Sequence, residues 1–548
     1  MNTSRTFSCF AWGVTYLIIG LIYCVTWSSV PVSDGFVWVD IIDHQNWEEI
    51  FRPFHLLPLA FIASVKSLLT QFLRHNTPTL HVIQCANLIS IFISIHLFRR
   101  FLYDLFTSNL FAWIGTILFA FAFSVWHFAN GEIHHFALIF LLAILVKLKE
   151  FYKSPRLLIA IQIGLLHGIA IACHQEHLLF GAFILCIMLS GEDKKLRMLA
   201  SLIYLCTLTA FLVALFSIFA VQIYKLDKPS QWLSWFFQIQ QSGKESDYHY
   251  FEIRKTQLLY WVKGFAMSFN YGAQVVVDSL RYGKLCQLIK VRVLLIETII
   301  GLVLTGFLIA KAIFGIGNEK IVLKKVFFIG ILVWLLIYQS LFNFRYTPES
   351  PEYYIGSIIP LICLLLFGLD RFKSRNVAIL TSVTLFILTF SVNFFGGALP
   401  WKQHGEMLDC FRSFSDQHFR KDDLFISTES NLDLVILGRF EHLSLKKLYL
   451  ENKKEESFKK VKNIIDLGLR QNRRIFIYNV IPSKYAIKRK TNKQDIDEMY
   501  SIEDLKKFLN DLQSTYRFSS VYEYWESTTS QIYLFGHQND FVWQIQKK

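Results

Sequence analysis

Charged residues are scarce in this sequence. Asp, Glu, Lys and Arg make up 18% of the 548 residues, whereas soluble proteins carry about 25%. Hydrophobic residues make up 53%, and the mean hydropathy is +0.38. Runs such as "FAWGVTYLIIGLIYCVTWSSV" (10–30) and "LFAWIGTILFAFAFSVW" (110–126) approach or reach the length that crosses a hydrocarbon core. The composition excludes an ordinary soluble protein and predicts a polytopic α-helical membrane protein.

Several features of other protein classes are also missing. The polar C-terminal part holds one cysteine, Cys410, so no disulfide can form within it. It has no glycine-rich phosphate loop and no Walker motif, so a structural or acceptor-docking role is predicted there rather than catalysis. The sequence shows no internal repeat and no pair of broken hydrophobic segments of the kind that marks many transporters.

The apolar runs predict about eleven transmembrane spans. The first run is long, ends without a small-x-small cleavage site and is followed by many others, so it is predicted to be an uncleaved span. The predicted spans lie near 10–30, 79–98, 108–128, 135–149, 157–173, 178–190, 198–222, 291–312, 325–343, 353–369 and 376–393.

Lys and Arg are absent from two of the short loops, "ANGEIHH" (129–135) and "CHQEH" (173–177), and enriched in alternate loops such as "KLKEFYKSPR" (147–156). This is the positive-inside pattern, and it accounts for the net charge of +14 without a nucleic-acid partner. It predicts a cytoplasmic N-terminus and an extracytoplasmic C-terminus. The amphipathic stretch 56–73 would invert the pattern if it crossed, so it is predicted to lie flat on the membrane surface.

The transmembrane module is predicted to cover residues 1–394. Its first outer loop, 31–78, would carry surface helices, and a larger outer loop would follow at 223–290. The larger loop is either a mobile segment that covers a site or a solvated connector.

Residues 395–548 are predicted to form a small extracytoplasmic α/β domain. Strand-like runs at "DLFIST" (423–428) and "RIFIYN" (474–479) alternate with stretches of helical periodicity at 455–469 and 502–512. Two further strand-like runs, "SSVYEYWE" (519–526) and "QIYLFG" (531–536), close the domain. This alternation is typical of a sheet packed against helices.

Ionisable residues gather in the loops of the predicted outer face. Groups at that depth are costly unless they are paired or face a cavity, so they are candidates for function. These residues are Asp34, Glu132, His134, His174, Glu176, His177, Arg345, Glu349 and Glu352.

Each group also has a structural explanation. Asp34 could simply begin a turn, Glu132 and His134 could belong to a solvated loop, and His174 and His177 could be interfacial polar caps. The other acidic residues of the first outer loop are predicted to form a solvated helix face; these are Asp40, Asp43, Glu48 and Glu49.

The order and membrane side of these motifs resemble the GT-C membrane glycosyltransferases, particularly bacterial relatives of protein O-mannosyltransferase. In that family the first outer loop carries an essential acidic residue in a turn, which "SDG" (33–35) matches. A Pro-rich stretch follows, which "RPFHLLPLAF" (52–61) matches. Here Phe36 replaces an acidic residue and Arg52 replaces a His.

Three later segments extend the resemblance. "NGEIHHFALIFLLAILVKLK" (130–149) is similar to the family segment in which a second acidic residue opens the fourth span. "GLLHGIAIACHQEHLLF" (164–180) and "YTPESPEYYIGSIIPLICLLL" (346–366) resemble later spans. The resemblance covers roughly residues 10–395 and implies a GT-C-like fold.

The resemblance implies an inverting glycosyltransferase in a bacterial inner membrane. It would move a sugar from a polyprenyl-phosphate donor to a hydroxyl of a glycan, lipid or protein. Asp34 would be the general base and Glu132 the second catalytic carboxylate. The side chains of Phe36, Val37 and Trp38 are expected to form an apolar wall beside Asp34 that raises its basicity. Arg345 would hold the lipid phosphate, because a guanidinium can grip two phosphate oxygens. The other predicted substrate-binding residues are His174, His177, Arg52 and His55.

A divalent metal ion is a further expectation. The spacing of Glu132 and His134 could place a carboxylate and an imidazole on one ion, with Asp34 or His174 completing the shell. The alternative is that no metal is used, as in some GT-C relatives. Two competing functions also stay open: a transporter or flippase for a lipid-linked or anionic solute, and a non-catalytic envelope-assembly protein.

Overall fold

The structure, a computed structural model, divides the chain into two compact units. The first comprises Met1–Val277 and Val293–Leu399, and the second comprises Asp278–Arg292 and Pro400–Lys548. The residues that the structure describes are 2–32, 34–45, 47–51, 53, 55–73, 77–226, 228, 230–232, 235, 257–281, 289–344, 350–427, 436, 439–445, 448, 454–478, 502–526 and 538–548.

Most helices of the chain coincide with its apolar runs. They are α1 (Asn2–Thr26), α2 (Gly35–Asp43), α3 (Trp47–Ile50), α4 (Leu56–Leu73), α5 (Thr79–Phe106), α6 (Asn109–Phe121), α7 (Phe123–Trp126), α8 (His135–Lys153), α9 (Leu157–Cys173), α10 (Phe180–Leu189), α11 (Lys194–Gln222), α12 (Gln257–Phe269), α13 (Gly272–Arg281), α14 (Ile289–Gly315), α15 (Val322–Ile337), α16 (Ile355–Asp370), α17 (Arg375–Asn393) and α18 (Leu399–His418).

Short 3-10 and π turns lie beside several of these helices. The 3-10 turns are His127–Asn130, Gln175–Leu179, Ile316–Asn318 and Pro351–Tyr354, and the π turns are Tyr338–Asn343 and Phe394–Ala398.

The length and apolar character of the helices are those of a multi-pass integral membrane protein. In the described part of the chain, 7 helices are long and apolar enough to cross a membrane, and 8 if the bent pair of α6 and α7 is one span. Shorter apolar helices accompany them at Ala11–Thr26, Leu157–Cys173 and Gln175–Leu189. The predicted polytopic α-helical fold is confirmed, while the count of eleven spans and the direction of the termini stay predictions.

Helix α4 is one of the helices that are long and apolar enough to cross a membrane, with a mean hydropathy of 1.6. One of its faces packs on α2, where Leu59 and Ile62 join Ile41 and Ile42 in an apolar cluster. The proposed position of α4, flat on the membrane surface, stays a prediction.

Helix α16 lies at the centre of the bundle. The apolar stretch of the span Pro351–Asp370, which contains α16, is buried along its whole length. By contrast, 17% of the apolar stretch in α11 and 22% of that in α14 are buried. Large side chains such as Phe98, Trp126 and Trp334 are fully buried in the same core. The residues that precede α16 are therefore held at the end of the most enclosed helix of the unit.

The predicted span at 108–128 is bent by 59° between α6 and α7. The bend occurs at Ala122, whose backbone is extended (φ −60°, ψ 139°). Asn393 of α17 donates to the carbonyl oxygens of Phe121 at 2.8 Å and Phe269 at 2.9 Å. The Phe121 carbonyl at the break is thus hydrogen-bonded by a side chain of a distant helix. A break inside a membrane requires such a partner, because backbone polar groups there have no water to bond.

The second unit contains a mixed sheet of β1 (Leu424–Ser427), β2 (Glu441–Ser444), β3 (Ile475–Ile477), β4 (Tyr516–Glu526) and β5 (Gln538–Lys547). The strand order is β2-β1-β3-β5-β4; β1 pairs in parallel with β2 and β3, and β5 pairs antiparallel with β3 and β4. Helices α19 (Lys454–Arg470) and α20 (Ile502–Thr515) share its apolar core. The predicted small α/β domain is confirmed as a fold, and its extracytoplasmic location stays a prediction.

Candidate functional site

Asp34 lies in the loop that follows α1, immediately before α2. Its backbone carbonyl accepts from the amides of Val37 (2.8 Å) and Trp38 (3.1 Å) and so begins the helix, while its side chain does not cap the helix. The half-buried carboxylate instead accepts a hydrogen bond from the Tyr353 hydroxyl, with 3.4 Å between the oxygens. It also stands at the amino end of α2, where the peptide dipoles favour negative charge.

Two glycines allow the segment before Asp34 to pack against the segment before Glu132. Gly131 has a φ of +147°, and a Cβ there would meet the Pro31 Cβ at 2.7 Å. A Cβ on Gly35 would meet the Gly131 carbonyl oxygen at 2.9 Å. The amide of Val32 donates to the carbonyl of Asn130 at 3.2 Å. The two loops are thereby held backbone to backbone.

Glu132 is fully buried beside Asp34. Its Oε2 accepts a hydrogen bond from the Trp38 indole at 3.2 Å, and its carboxylate also accepts one from the backbone amide of Asp34. Burial raises the pKa of Glu132 well above its usual value, and the nearby carboxylates of Asp34 and Glu352 raise it further. Three carboxylates therefore converge here, and Glu132 favours its neutral form.

A polar residue of α5 supports the same loop. Asn87 is buried, and its side-chain amide donates to the carbonyl oxygens of Ala129 at 3.1 Å and Glu132 at 2.5 Å. Gln84, one turn earlier, donates to the Ser28 carbonyl at 2.8 Å. These bonds explain why an apolar helix carries amide side chains at these positions.

Gly131→Ala is expected to lower the free energy of unfolding by about 1–3 kcal/mol, because a Cβ residue is strained at this φ and would collide with Pro31. Gly306→Ala is the matched control, since a Cβ there meets nothing within 4 Å. That change should be neutral or slightly stabilising in a helix. Thermal unfolding of the purified protein in detergent measures both, and equal midpoints for the two variants would contradict the packing described here.

Three buried histidines meet beside this acidic group. His55 precedes α4, His134 precedes α8 and His174 follows α9. The His55 ring is 5.3 Å from that of His134 and 4.8 Å from that of His174, and the rings of His134 and His174 are 4.8 Å apart. One ring nitrogen from each residue lies within 4.8 Å of the other two. The three imidazoles could therefore hold a metal ion.

The environment of His134 and His174 favours the neutral form of their imidazoles. Burial lowers the pKa of His134 well below its usual value, and the neighbouring rings of His55, His135 and His177 lower it further. Burial likewise lowers the pKa of His174, with His134, His55 and His177 adding to the effect. A neutral imidazole is the form that binds a metal.

His177 is more deeply buried in the helix bundle than His174. Its Nδ1 shares a 2.7 Å hydrogen bond with the Tyr338 hydroxyl, and its carbonyl is 2.8 Å from Nε2 of His167. Glu176, between the two predicted histidines, is also buried, with carboxylate oxygens 3.6 Å from His174 Nδ1 and 3.8 Å from His177 Nε2. His177 is thus the more enclosed of the two histidines predicted to bind substrate.

Tyr353 connects the acidic and histidine groups. Besides its bond to Asp34, its ring lies 5.5 Å from the ring of His134 and 6.2 Å from that of His174. Its carbonyl accepts from the Asn343 side chain at 2.8 Å, so the π turn at the end of α15 fixes its position. The sequence indicates this segment as the aromatic start of a late span and, through Glu352, as part of the ionisable group at the outer face.

The structure brings together most of the residues that the sequence proposes. Asp34, Glu132, His134, His55 and His174 lie in one connected group, with His177 next to it. Arg52 and Arg345, proposed to bind substrate, lie outside the described residues, as does Glu349. Other members of the group are Trp38, Glu176, Tyr338, Glu352 and Tyr353. The sequence indicates Glu176 and Glu352 as ionisable candidates and Trp38 as part of an apolar wall, and it assigns no role to the two tyrosines.

Fewer side chains enclose Asp34 than the predicted apolar wall requires. Trp38 is buried and its ring packs against His55 at 4.8 Å, whereas Val37 is 43% exposed. Asp40 and Asp43 are exposed, as expected for a solvated helix face, and Asp43 bonds to Lys66 and Thr79. The side chains of Glu48 and Glu49 lie outside the described part of the chain.

The fold is similar to that of ArnT from Cupriavidus metallidurans bound to undecaprenyl phosphate. The TM-score is 0.52 at 10% sequence identity, and the match covers 97% of this chain and 98% of that chain. No protein-family model matches the sequence, and no curated protein matches it. The predicted GT-C-like fold is confirmed by this likeness, which concerns the fold alone.

Proposed function

We propose that this protein is a glycosyltransferase that moves a sugar from a polyprenyl-phosphate donor to an acceptor hydroxyl at the outer face of the membrane. The observation that carries the proposal is the convergence of Asp34, Glu132 and Glu352 at the end of the most enclosed helix. The fold is also that of a protein described as bound to undecaprenyl phosphate. Ionisable groups gathered at such a depth favour a reaction site.

The donor determines what the site must supply. The leaving group is the polyprenyl phosphate, a phosphate monoester. It departs as an anion and needs little help from an acid. The acceptor hydroxyl loses its proton to a base as its oxygen attacks the anomeric carbon, and the bond from that carbon to the phosphate oxygen breaks. A single displacement of this kind inverts the anomeric centre.

Asp34 is the proposed base. It is less buried than Glu132 and begins a helix, so a substrate hydroxyl can reach a carboxylate that the helix dipole helps to keep ionised. The Tyr353 hydroxyl, 3.4 Å from Oδ2, orients the carboxylate without neutralising it.

Glu132 is the proposed second carboxylate of the site. Its pKa is raised by burial, so it acts as a neutral group that fixes Trp38 and the backbone of Asp34. Two carboxylates in different environments can take different roles at one pH. We assign the lipid phosphate to Arg345, with Arg52, His55, His174 and His177 near the sugar and the acceptor.

The experiment uses the purified full chain in vesicles with undecaprenyl phosphate carrying a labelled hexose, aminosugar or pentose. An envelope extract that contains glycan, lipid and protein acceptors is supplied from outside. With one of these donors, label is expected to leave the lipid-linked pool and appear in the acceptors. Label that crosses the bilayer while still attached to the lipid would indicate a transporter instead, and retention of all label on the outer-leaflet donor would contradict an enzyme.

A further inference from the structure

We propose that His55, His134 and His174 bind one divalent ion of the zinc class, held by three imidazole nitrogens. The three residues come from separate segments of the chain, all are buried, and one nitrogen of each lies within 4.8 Å of the others. Binding of the ion is independent of the proposed function. Only the use of the ion in the reaction rests on that function.

The donor set indicates the kind of ion. Imidazole nitrogen suits Zn²⁺ and its transition-metal neighbours, whereas Mg²⁺ and Ca²⁺ prefer oxygen ligands. Three protein ligands leave a fourth position open, which is typical of catalytic rather than structural zinc. Bond lengths of about 2.0–2.1 Å imply nitrogens roughly 3.4 Å apart in a tetrahedral site, so the ion is expected to draw the three rings together.

In each of two histidines a carboxylate oxygen lies 3.6 Å from one ring nitrogen, and the ion would take the other nitrogen. Glu132 Oε2 is 3.6 Å from Nε2 of His134, whose Nδ1 has no hydrogen-bond partner among the described residues. Glu176 Oε2 is 3.6 Å from Nδ1 of His174, and the backbone amide of Glu176 donates to the same nitrogen at 3.4 Å; an ion bound to Nε2 would place the ring proton on Nδ1, facing the carboxylate. A carboxylate behind the ligating ring is the usual way in which a protein orients a metal-bound histidine. Glu132, predicted as a ligand, takes the orienting position in this arrangement.

His167, a buried histidine elsewhere in the bundle, differs from this set. Both ring nitrogens of His167 lie at 2.8 Å from partners, the Tyr204 hydroxyl and the His177 carbonyl. A histidine placed only for packing would be satisfied in this way. Nδ1 of His134 and both oxygens of Glu176 are buried without hydrogen bonds in the part of the chain that the structure describes, and such groups are costly unless something compensates them.

The site adjoins the proposed base through Glu132. Its Oε2 lies 3.6 Å from Nε2 of His134, and its carboxyl group accepts from the backbone amide of Asp34. When bound, the ion would offer its open position to a phosphate oxygen of the donor, close to Asp34.

The test measures metal content in the purified full chain, without any donor. The protein is stripped with a chelator, exposed to Zn²⁺ or Co²⁺ and desalted, and the retained metal is counted by mass spectrometry. One ion per chain is expected, with excess Mg²⁺ unable to displace it. His134→Ala and His174→Ala should lose the ion, whereas the control His81→Ala, at an exposed position, should keep it. Co²⁺ should give the visible absorption of a nitrogen-ligated four-coordinate site.

Glu176→Gln provides a milder variant in case the alanine variants do not fold. Loss of an orienting carboxylate is expected to weaken Zn²⁺ binding by about 10–100-fold. Wild-type protein that retains no stoichiometric metal would overturn the proposal, and so would metal retained equally by every histidine variant. Asp34→Asn should keep the ion while losing transfer, so a failure of the metal site is distinguishable from a failure of the proposed function.

Discussion

Asp34→Asn is expected to slow sugar transfer by about 10²–10⁴-fold, the range that a positioned general base contributes. Asparagine has the shape of aspartate and keeps an oxygen that can accept from the Tyr353 hydroxyl, but it cannot take the acceptor proton. The side chain does not cap α2, so the helix should form normally. Initial rates in vesicles with a labelled polyprenyl-phosphate sugar measure the effect.

Asp40→Asn is the matched control for this change. Asp40 lies on the same helix, is exposed, and pairs with His44 at 3.1 Å. Exposed ion pairs contribute little to stability, so this variant should transfer sugar at the wild-type rate. If Asp34→Asn keeps the same rate as Asp40→Asn, Asp34 is not the base and the catalytic assignment fails.

The membrane fold could be predicted because its signal is local. A run of apolar residues long enough to cross a bilayer must form a helix there, since the backbone has no other way to satisfy its polar groups. The bend between α6 and α7 could not be predicted in this way. Ala122 is neither proline nor glycine, and the break is stabilised by Asn393, which lies far along the chain.

The second unit shows the same limit. β1, β3, α19 and α20 follow strong apolar or helical patterns and were predicted within a few residues. β2 was not predicted, because "EHLS" (441–444) carries a weak strand signal and depends on pairing with β1. The predicted strand "QIYLFG" (531–536) lies outside the described residues, and a strand not predicted, β5, begins at Gln538.

The candidate site was partly visible in the sequence. A carboxylate or histidine directly after an apolar run stands out, so Asp34, Glu132 and His174 could be proposed. The grouping of His55 with His134 and His174 could not be derived, because it depends on how three loops pack. Backbone approaches at Gly35 and Gly131 create that packing, and no pattern of spacing predicts such an approach.

The location of the charges also bears on the competing transporter hypothesis. The described polar group consists of residues that follow α1, precede α4, α8 and α16, and follow α9. They therefore meet where helices begin or end, whereas secondary transporters place their sites at discontinuous helices near the membrane midplane. A reaction site at a membrane face fits a donor whose lipid stays in the bilayer while its phosphate and sugar reach the surface.

The two substitutions Glu132→Gln and Glu132→Ala are expected to separate the chemical role of Glu132 from its structural role. Glutamine keeps an oxygen for the Trp38 indole and the Asp34 amide, so the protein should remain folded. Alanine removes both acceptors and leaves two buried donors, each costing about 1–3 kcal/mol. We therefore expect a lower unfolding midpoint for Glu132→Ala and a midpoint near wild type for Glu132→Gln.

Transfer should fall in Glu132→Ala, because Trp38 and the backbone of Asp34 lose their acceptor, and should stay near the wild-type rate in Glu132→Gln, which keeps that acceptor. A wild-type rate in Glu132→Gln would show that Glu132 serves only as a hydrogen-bond acceptor for Trp38 and Asp34. A rate that falls in Glu132→Gln without a change in the unfolding midpoint would instead require the carboxyl group itself. Because Glu132 Oε2 is also 3.6 Å from His134, the metal content of the same samples should be counted. Loss of transfer at full metal content would then assign the defect to the reacting groups rather than to the ion.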